Sequence, residues 1–227
     1  MDRLVLFDID KTLLLGSTFH YAALKNAISE VYGVENPKPV MNMQGMTDLK
    51  IICTILSQED MDLKTIKAGL DECMELMYLK FKDALQQKDL KVIIGVKLLL
   101  ENLQRLGIPM GLVTGNMENI AWLKLEKVGL KRYFQFGGFG DHVMKRSSLV
   151  KKALEASEAN NGIIKREHVF LVGDTPRDIV GGNKLGVRTI GVATGDFSQD
   201  ELLLAGAEFI LEDLKDTERV LKIILNI

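Results

Sequence analysis

Short apolar runs, each closed by a turn-forming or small polar residue, constrain the fold of this chain more than any other feature. They are Leu4 to Ile9, Met110 to Val113, Tyr133 to Phe136, Val169 to Val172 and Val187 to Val192, with Phe209 to Leu211 as a weaker sixth. Runs this short, bounded by Asp, Gly or Thr and separated by stretches of helical period, predict strands buried on both faces of a parallel sheet. The expected class is α/β, a doubly wound parallel sheet covered by helices.

The spacing of these runs is uneven. The later ones follow at the interval of a βα unit, but about a hundred residues separate the first from the second, too many for a single crossover. Within that interval the period is helical over Tyr21 to Ile28, Leu49 to Leu56 and Thr65 to Leu85, with turn residues at Gly33 and at Asn36-Pro37-Lys38-Pro39. A helical lobe inserted after the first strand accounts for this. Leu98 to Leu106, ended by Gly107 and Pro109, then reads as a crossover helix on the sheet. The expected division is a core of residues 1–15 and 91–227 and a helical insertion of residues 16–90.

At 227 residues and 47% apolar content the chain can bury a core for one domain and a modest second lobe. Lys and Arg total 29 against 31 Asp and Glu, so no broad field exists for nucleic acid or an anionic membrane, and anion recognition must be local. The leading apolar stretch Leu4 to Phe7 is too short for a signal-peptide core, and no later run approaches a membrane span. A cytoplasmic location and a monomer or weak homodimer are expected. Cys53 and Cys73 have no His or Cys partner in metal-ligand spacing, which suggests free thiols in a reducing compartment.

Three clusters carry candidate chemistry. The first strand expires in Asp8-Ile9-Asp10-Lys11-Thr12, where alternation sends Asp8 and Asp10 to one side, beyond the carboxyl end of a strand where open α/β sheets bind ligands. Capping of the turn explains an isolated Asp-x-Asp equally well. In Gly173-Asp174-Thr175-Pro176-Arg177-Asp178, Pro176 marks a helix start, and Asp174 and Asp178 can face the same cleft or serve as an N-cap and an acidic first turn. Acidic groups concentrated at two strand ends need a cation, and hard oxygen ligands point to magnesium. Thr114-Gly115-Asn116, after another strand, offers a hydroxyl and backbone amides suited to a phosphate-sized anion, or an ordinary N-cap.

In this order the segments resemble the haloacid dehalogenase superfamily of phosphotransferases. Asp8-Ile9-Asp10-Lys11-Thr12 is similar to its first motif, Thr114 to its second and Gly173 to Asp178 to its fourth, while the helical insertion matches a cap of the phosphoglycolate phosphatase-like kind. Two departures stand out. Many relatives carry Gly at the position of Lys11, and the third motif, usually Lys-Pro, corresponds to adjacent Lys145 and Arg146 without the Pro. A helix beginning near Ser148 favours Arg146 slightly.

The resemblance implies a phosphatase for small phosphorylated metabolites. Asp8 would attack phosphorus to form an aspartyl phosphate. Asp10, protonated, would serve the leaving oxygen as acid and then activate water as base. Thr114, Gly115 and Asn116 would hold phosphoryl oxygens. Magnesium would sit on Asp8, Asp174 and the Asp10 carbonyl, with Asp178 orienting the metal shell. A carboxylate attacking a phosphate dianion meets about 8 kcal/mol of repulsion at about 4 Å, so the metal and Lys145 or Arg146 are requirements of the chemistry. Asp10 argues against dehalogenation, and Lys25, Lys50 and Lys64 lack a recognisable Schiff-base setting. A sugar-phosphate mutase of β-phosphoglucomutase type, using the same Asp8 and Asp10, is the nearest alternative, and an inactive binding or regulatory protein the remote one. In the insertion, Thr47 and Asp48 are candidate substrate contacts, while Met41, Met43, Met46, Met74 and Met77 are expected in helix cores.

Overall fold

The all-apolar run Leu4–Phe7 is fully buried and becomes the central strand of the sheet, in a computed structural model that describes residues 3–227. In chain order the elements are β1 (Leu4–Phe7), β2 (Leu14–Leu15), α1 (Thr18–Tyr32), α2 (Asp48–Gln58), α3 (Leu63–Gln87), β3 (Lys91–Val92) and α4 (Val96–Arg105). They continue through β4 (Met110–Val113), α5 (Glu118–Lys127), β5 (Gly137–Gly138), α6 (Arg146–Asn161), β6 (Val169–Gly173) and α7 (Pro176–Asn183). The chain closes with β7 (Arg188–Val192), α8 (Gln199–Leu204), β8 (Phe209–Leu211) and α9 (Thr217–Leu225).

Strands β5-β4-β1-β6-β7-β8 form one sheet in that spatial order, and all its pairings are parallel. The first strand lies between β4 and β6, in register Phe7 with Leu112 on one side and Phe7 with Val172 on the other. The residues that follow β1, β4 and β6 therefore emerge side by side at one sheet edge, where the strand order reverses.

One predicted strand is displaced. Tyr133 to Phe136 is not a strand: Lys131–Tyr133 is a 3₁₀ turn and the pairing with β4 is made by Gly137 and Gly138. The aromatic side chains are core filling, and a short apolar run does not distinguish the two roles. Glycine serves in β5 because α6 crosses so closely that a Cβ on Gly138 would collide with the Leu149 carbonyl.

Between β2 and β3 the chain is helical. The pair is antiparallel, Leu14 with Val92 and Leu15 with Lys91, so the segment leaves and re-enters at one place. Helix α1 ends at Gly33, whose φ of 69° gives the left-handed cap a Cβ would strain. Its buried face, Ala23, Leu24, Ala27 and Ile28, has helical spacing and joins a continuous core with Phe81 of α3 and Ile52 of α2. Met74 and Met77 belong to that core as expected, but Met41 is exposed, and Met43 and Met46 lie with it on the irregular segment before α2.

Candidate active site

Asp8 follows β1, with its backbone N–H donating to the Val172 carbonyl at 2.9 Å, so its position is set by the β1–β6 pairing. Asp174 follows β6 and accepts from the Thr12 hydroxyl at 3.2 Å. Asp178 is fixed by a capping box at the start of α7: its Oδ2 accepts from the Thr175 hydroxyl at 2.7 Å and the Thr175 N–H at 3.2 Å. These carboxylates are buried, and one oxygen from each lies within 4.8 Å of the others. At Gly195, across the site, a Cβ would overlap the Asp174 carboxylate, so the missing side chain makes room for it.

A single buried cation faces this trio among the described residues. Arg146, the first residue of α6, donates from Nη2 to Asp8 Oδ1 at 2.6 Å and to the Val113 carbonyl at 2.9 Å, and also ion-pairs with Asp178. Its Nε–H is buried without a hydrogen-bond partner. Lys145 precedes the helix and is exposed. One guanidinium does not offset three carboxylates. Burial, against the attraction of Arg146 and with repulsion from Asp178 and Asp10, pushes Asp8 up to about 7. Burial and repulsion from Asp8 and Asp178 push Asp174 up to about 8. Clustered oxygen ligands carrying unbalanced negative charge in a buried setting fit a hard divalent cation.

Asp10 stands apart from this trio, and its carboxylate is not among the clustered ligands. It faces Lys124 of α5, whose side chain is 0% exposed and whose Nζ lies 2.8 and 2.7 Å from the two Asp10 oxygens. Ser17 and Asn116 also donate to Asp10, at 2.5 and 2.8 Å. Burial works to raise the Asp10 carboxyl, but Lys124 and His20, with hydrogen bonds from Lys124 and Ser17, outweigh it and hold the group well below the usual carboxylate range. The conformation therefore favours the carboxylate form of Asp10.

The network continues into the helical segment. Lys124 Nζ lies 2.6 Å from Asn116 Oδ1 and 3.0 Å from His20 Nδ1, while His20 Nε2 is 3.2 Å from Asp48 Oδ2. Which His20 nitrogen donates in these contacts depends on its tautomer. Asp48 Oδ2 also accepts the Met117 N–H at 2.8 Å, tying α2 to the start of α5. Lys124, His20 and Ser17 were not singled out from the sequence. The available signal was Lys124 itself, at helical spacing from buried Ile120 and Ala121 on the apolar face of α5.

A cavity of about 340 Å³ opens onto both groups, lined by Asp8, Asp10, Asp174, Arg146, Gly115 and Asn116 together with residues of the helical segment. Asp48 is on its wall. Thr47 is not: its hydroxyl caps α2 by accepting the Lys50 N–H at 3.1 Å. Thr114 is buried beneath the cavity, its Oγ1 accepting from Asn116 N–H at 3.3 Å and from Asn116 Nδ2 at 2.5 Å. Met43 and Met46 line the cavity, correcting their expected place in a helix core. Lys11 has φ of 62°, in the left-handed region in which glycine is favoured. Its Nζ pairs with Asp196 at 2.5 Å.

The chain is 25% identical over 215 residues to a phosphoglycolate phosphatase of Xanthomonas campestris, with 92% of each chain covered. It is 30% identical over 120 residues to the pyrophosphatase PpaX of Oceanobacillus iheyensis, a match that spans 52% of this chain and 54% of that one. Its fold matches the crystal structure of a hydrolase from Pseudomonas syringae with a TM-score of 0.74 at 19% identity, covering 98% of both chains. Residues 5–192 match the family described as haloacid dehalogenase-like hydrolase. That match spans most of the chain, including the strand-end carboxylates Asp8 and Asp174, and the protein belongs to the haloacid dehalogenase-like hydrolases.

Proposed function

We propose that the protein is a magnesium-dependent phosphatase that hydrolyses small phosphate monoesters through an aspartyl phosphate on Asp8. The observation that carries this reading is the placement of Asp8: a buried carboxylate at the strand end, open to the cavity, with Arg146 against one oxygen and two further carboxylates beside it. Similarity to proteins named phosphoglycolate phosphatase and pyrophosphatase supports the reaction class.

Asp8, Asp174 and Asp178 would hold magnesium, which when bound supplies charge neutralisation for the phosphoryl group. Arg146 holds the Asp8 carboxylate in place and offers positive charge to phosphoryl oxygens, so Arg146 rather than Lys145 takes the third-motif role. Gly115 and Asn116 reach the same end of the cavity, while Thr114 acts through Asn116. Asp8 forms a bond to phosphorus as the bond to the leaving oxygen breaks. Asp10 begins as a carboxylate beside Lys124. As the phosphate dianion arrives Asp10 takes up a proton from solvent, gives it to the leaving oxygen as that bond to phosphorus breaks, and as a carboxylate again takes a proton from the water that attacks the aspartyl phosphate. Residues 16–90 act as a cap that delivers His20 and Asp48 to the site. The two free cysteines accord with a cytoplasmic enzyme.

Steady release of inorganic phosphate from p-nitrophenyl phosphate and from small alkyl phosphates, dependent on magnesium, is the expected result. Isomerisation of a hexose phosphate, with catalytic bisphosphate present, faster than hydrolysis of any monoester replaces this reading with a mutase.

A further inference from the structure

The phosphoryl end of the cavity is occupied by the groups described above, and the remaining wall differs in character. Leu14, Leu24, Met43, Met46 and Ile51 make most of it apolar. The charged groups that accompany them are Lys11, His20, Asp48 and Asp196.

Each basic group near that wall already has an acidic or polar partner. Lys11 is paired with Asp196 at 2.5 Å, and Gln44 also donates to Asp196 at 3.2 Å. Lys124 is enclosed by Asp10, Asn116 and His20, and the second nitrogen of His20 faces Asp48. Arg146 is committed to Asp8 and Asp178, and the nearby Arg177 donates to the Gln44 carbonyl at 2.6 Å. Among the described residues that line the cavity, every basic group thus faces an acidic partner. Asp48 and Asp196, the acidic groups on that wall, are the partners of His20 and Lys11.

A carboxylate or second phosphate placed there gives up hydration to apolar side chains and meets only cations already held by acidic partners. An uncharged alcohol meets neither cost and gains from the apolar wall. We infer that the substrates are monoesters of uncharged, largely apolar alcohols, and that the Lys11–Asp196 pair excludes anionic leaving groups. This rests on the phosphatase reading above and narrows it, since it sets this chain apart from relatives named for phosphoglycolate and pyrophosphate.

The test compares kcat/KM for propyl phosphate, phosphoglycolate and pyrophosphate with magnesium present. Propyl phosphate is expected to lead both anionic substrates by at least about tenfold. In Asp196→Asn, which releases Lys11, the ratio of phosphoglycolate to propyl phosphate should rise at least about fivefold. A smaller preference in the wild type, its reversal, or an unchanged ratio in Asp196→Asn overturns the inference. Should no monoester be turned over, the phosphatase reading fails, and binding still decides the character of the wall. Calorimetric titration of the Asp8→Asn protein with magnesium should then give propylphosphonate at least about tenfold tighter binding than its carboxylated analogue phosphonopropionate. Equal or tighter binding of the carboxylated compound overturns the inference by itself.

Discussion

Removing divalent metal and raising the pH should destabilise this protein, in the direction opposite to that of most carboxylates. Asp8 is pushed by burial from 3.8 to about 7, so between those values the folded state keeps a proton that the unfolded chain releases. The stability this contributes is fully present below the unfolded value and is lost as pH rises through about 7. Over its full range the shift corresponds to about 4 kcal/mol, and the part falling between about pH 5.5 and about pH 8.5 to about 2 kcal/mol. Asp174, pushed by burial to about 8, acts in the same direction, but mutual repulsion with Asp8 is counted once, so Asp8 alone sets the minimum. Asp10 has the opposite sign, yet its contribution is lost only as pH falls below its ordinary range, outside the window. For a chain of this length a loss of about 2 kcal/mol lowers Tm by about 4–8 °C. Calorimetric melts in chelator across that window should show the fall, and magnesium should raise Tm more at the upper pH, where no proton has to leave. The Asp8→Asn protein should lose much of the slope. A chelated Tm that is flat or rises with pH, or a magnesium effect equal at both ends, refutes the assignment of Asp8 and Asp174 as the buried, charge-crowded pair.

Asp8→Asn should abolish monoester turnover while retaining the folded circular dichroism spectrum, since it removes the nucleophile and relieves charge crowding; activity within about tenfold of wild type contradicts this. Arg146→Ala should lower kcat/KM by at least about a hundredfold and Lys145→Ala by less than about threefold, because only Arg146 touches Asp8. Lys124→Met should reduce kcat about a hundredfold with little change in KM, as Asp10 loses the group that orients it, and kinetics with a small alkyl phosphate report this. Gly195→Ala should weaken magnesium binding about tenfold or more, read from the rise of Tm as magnesium is titrated, because its Cβ displaces the Asp174 carboxylate.

What the sequence by itself determined is local in origin. The strands β1, β4, β6 and β7, and even short β8, could be read from contiguous apolar runs, because a strand buried on both faces has no polar alternation to hide it. Asp8 and Asp174 could be placed at strand ends for the same reason, and Asp178 by the Pro176 helix start that its capping box confirms. What tertiary structure alone decided concerns partners far apart in the chain. Arg146 was chosen over Lys145 by the one-residue question of where α6 begins, since a helix turns each successive side chain by about 100° and only one can face Asp8. Lys124 meets Asp10 across a separation of 114 residues, and no local pattern states which carboxylate a buried lysine will find. The ionised form of Asp10 followed from that meeting, because its own burial favours the neutral form and only the assembled Lys124 and His20 reverse it. Met43 and Met46 became cavity wall for a similar reason: methionine suits a core or a pocket equally, and the packing of the helical segment over the strand ends settles which.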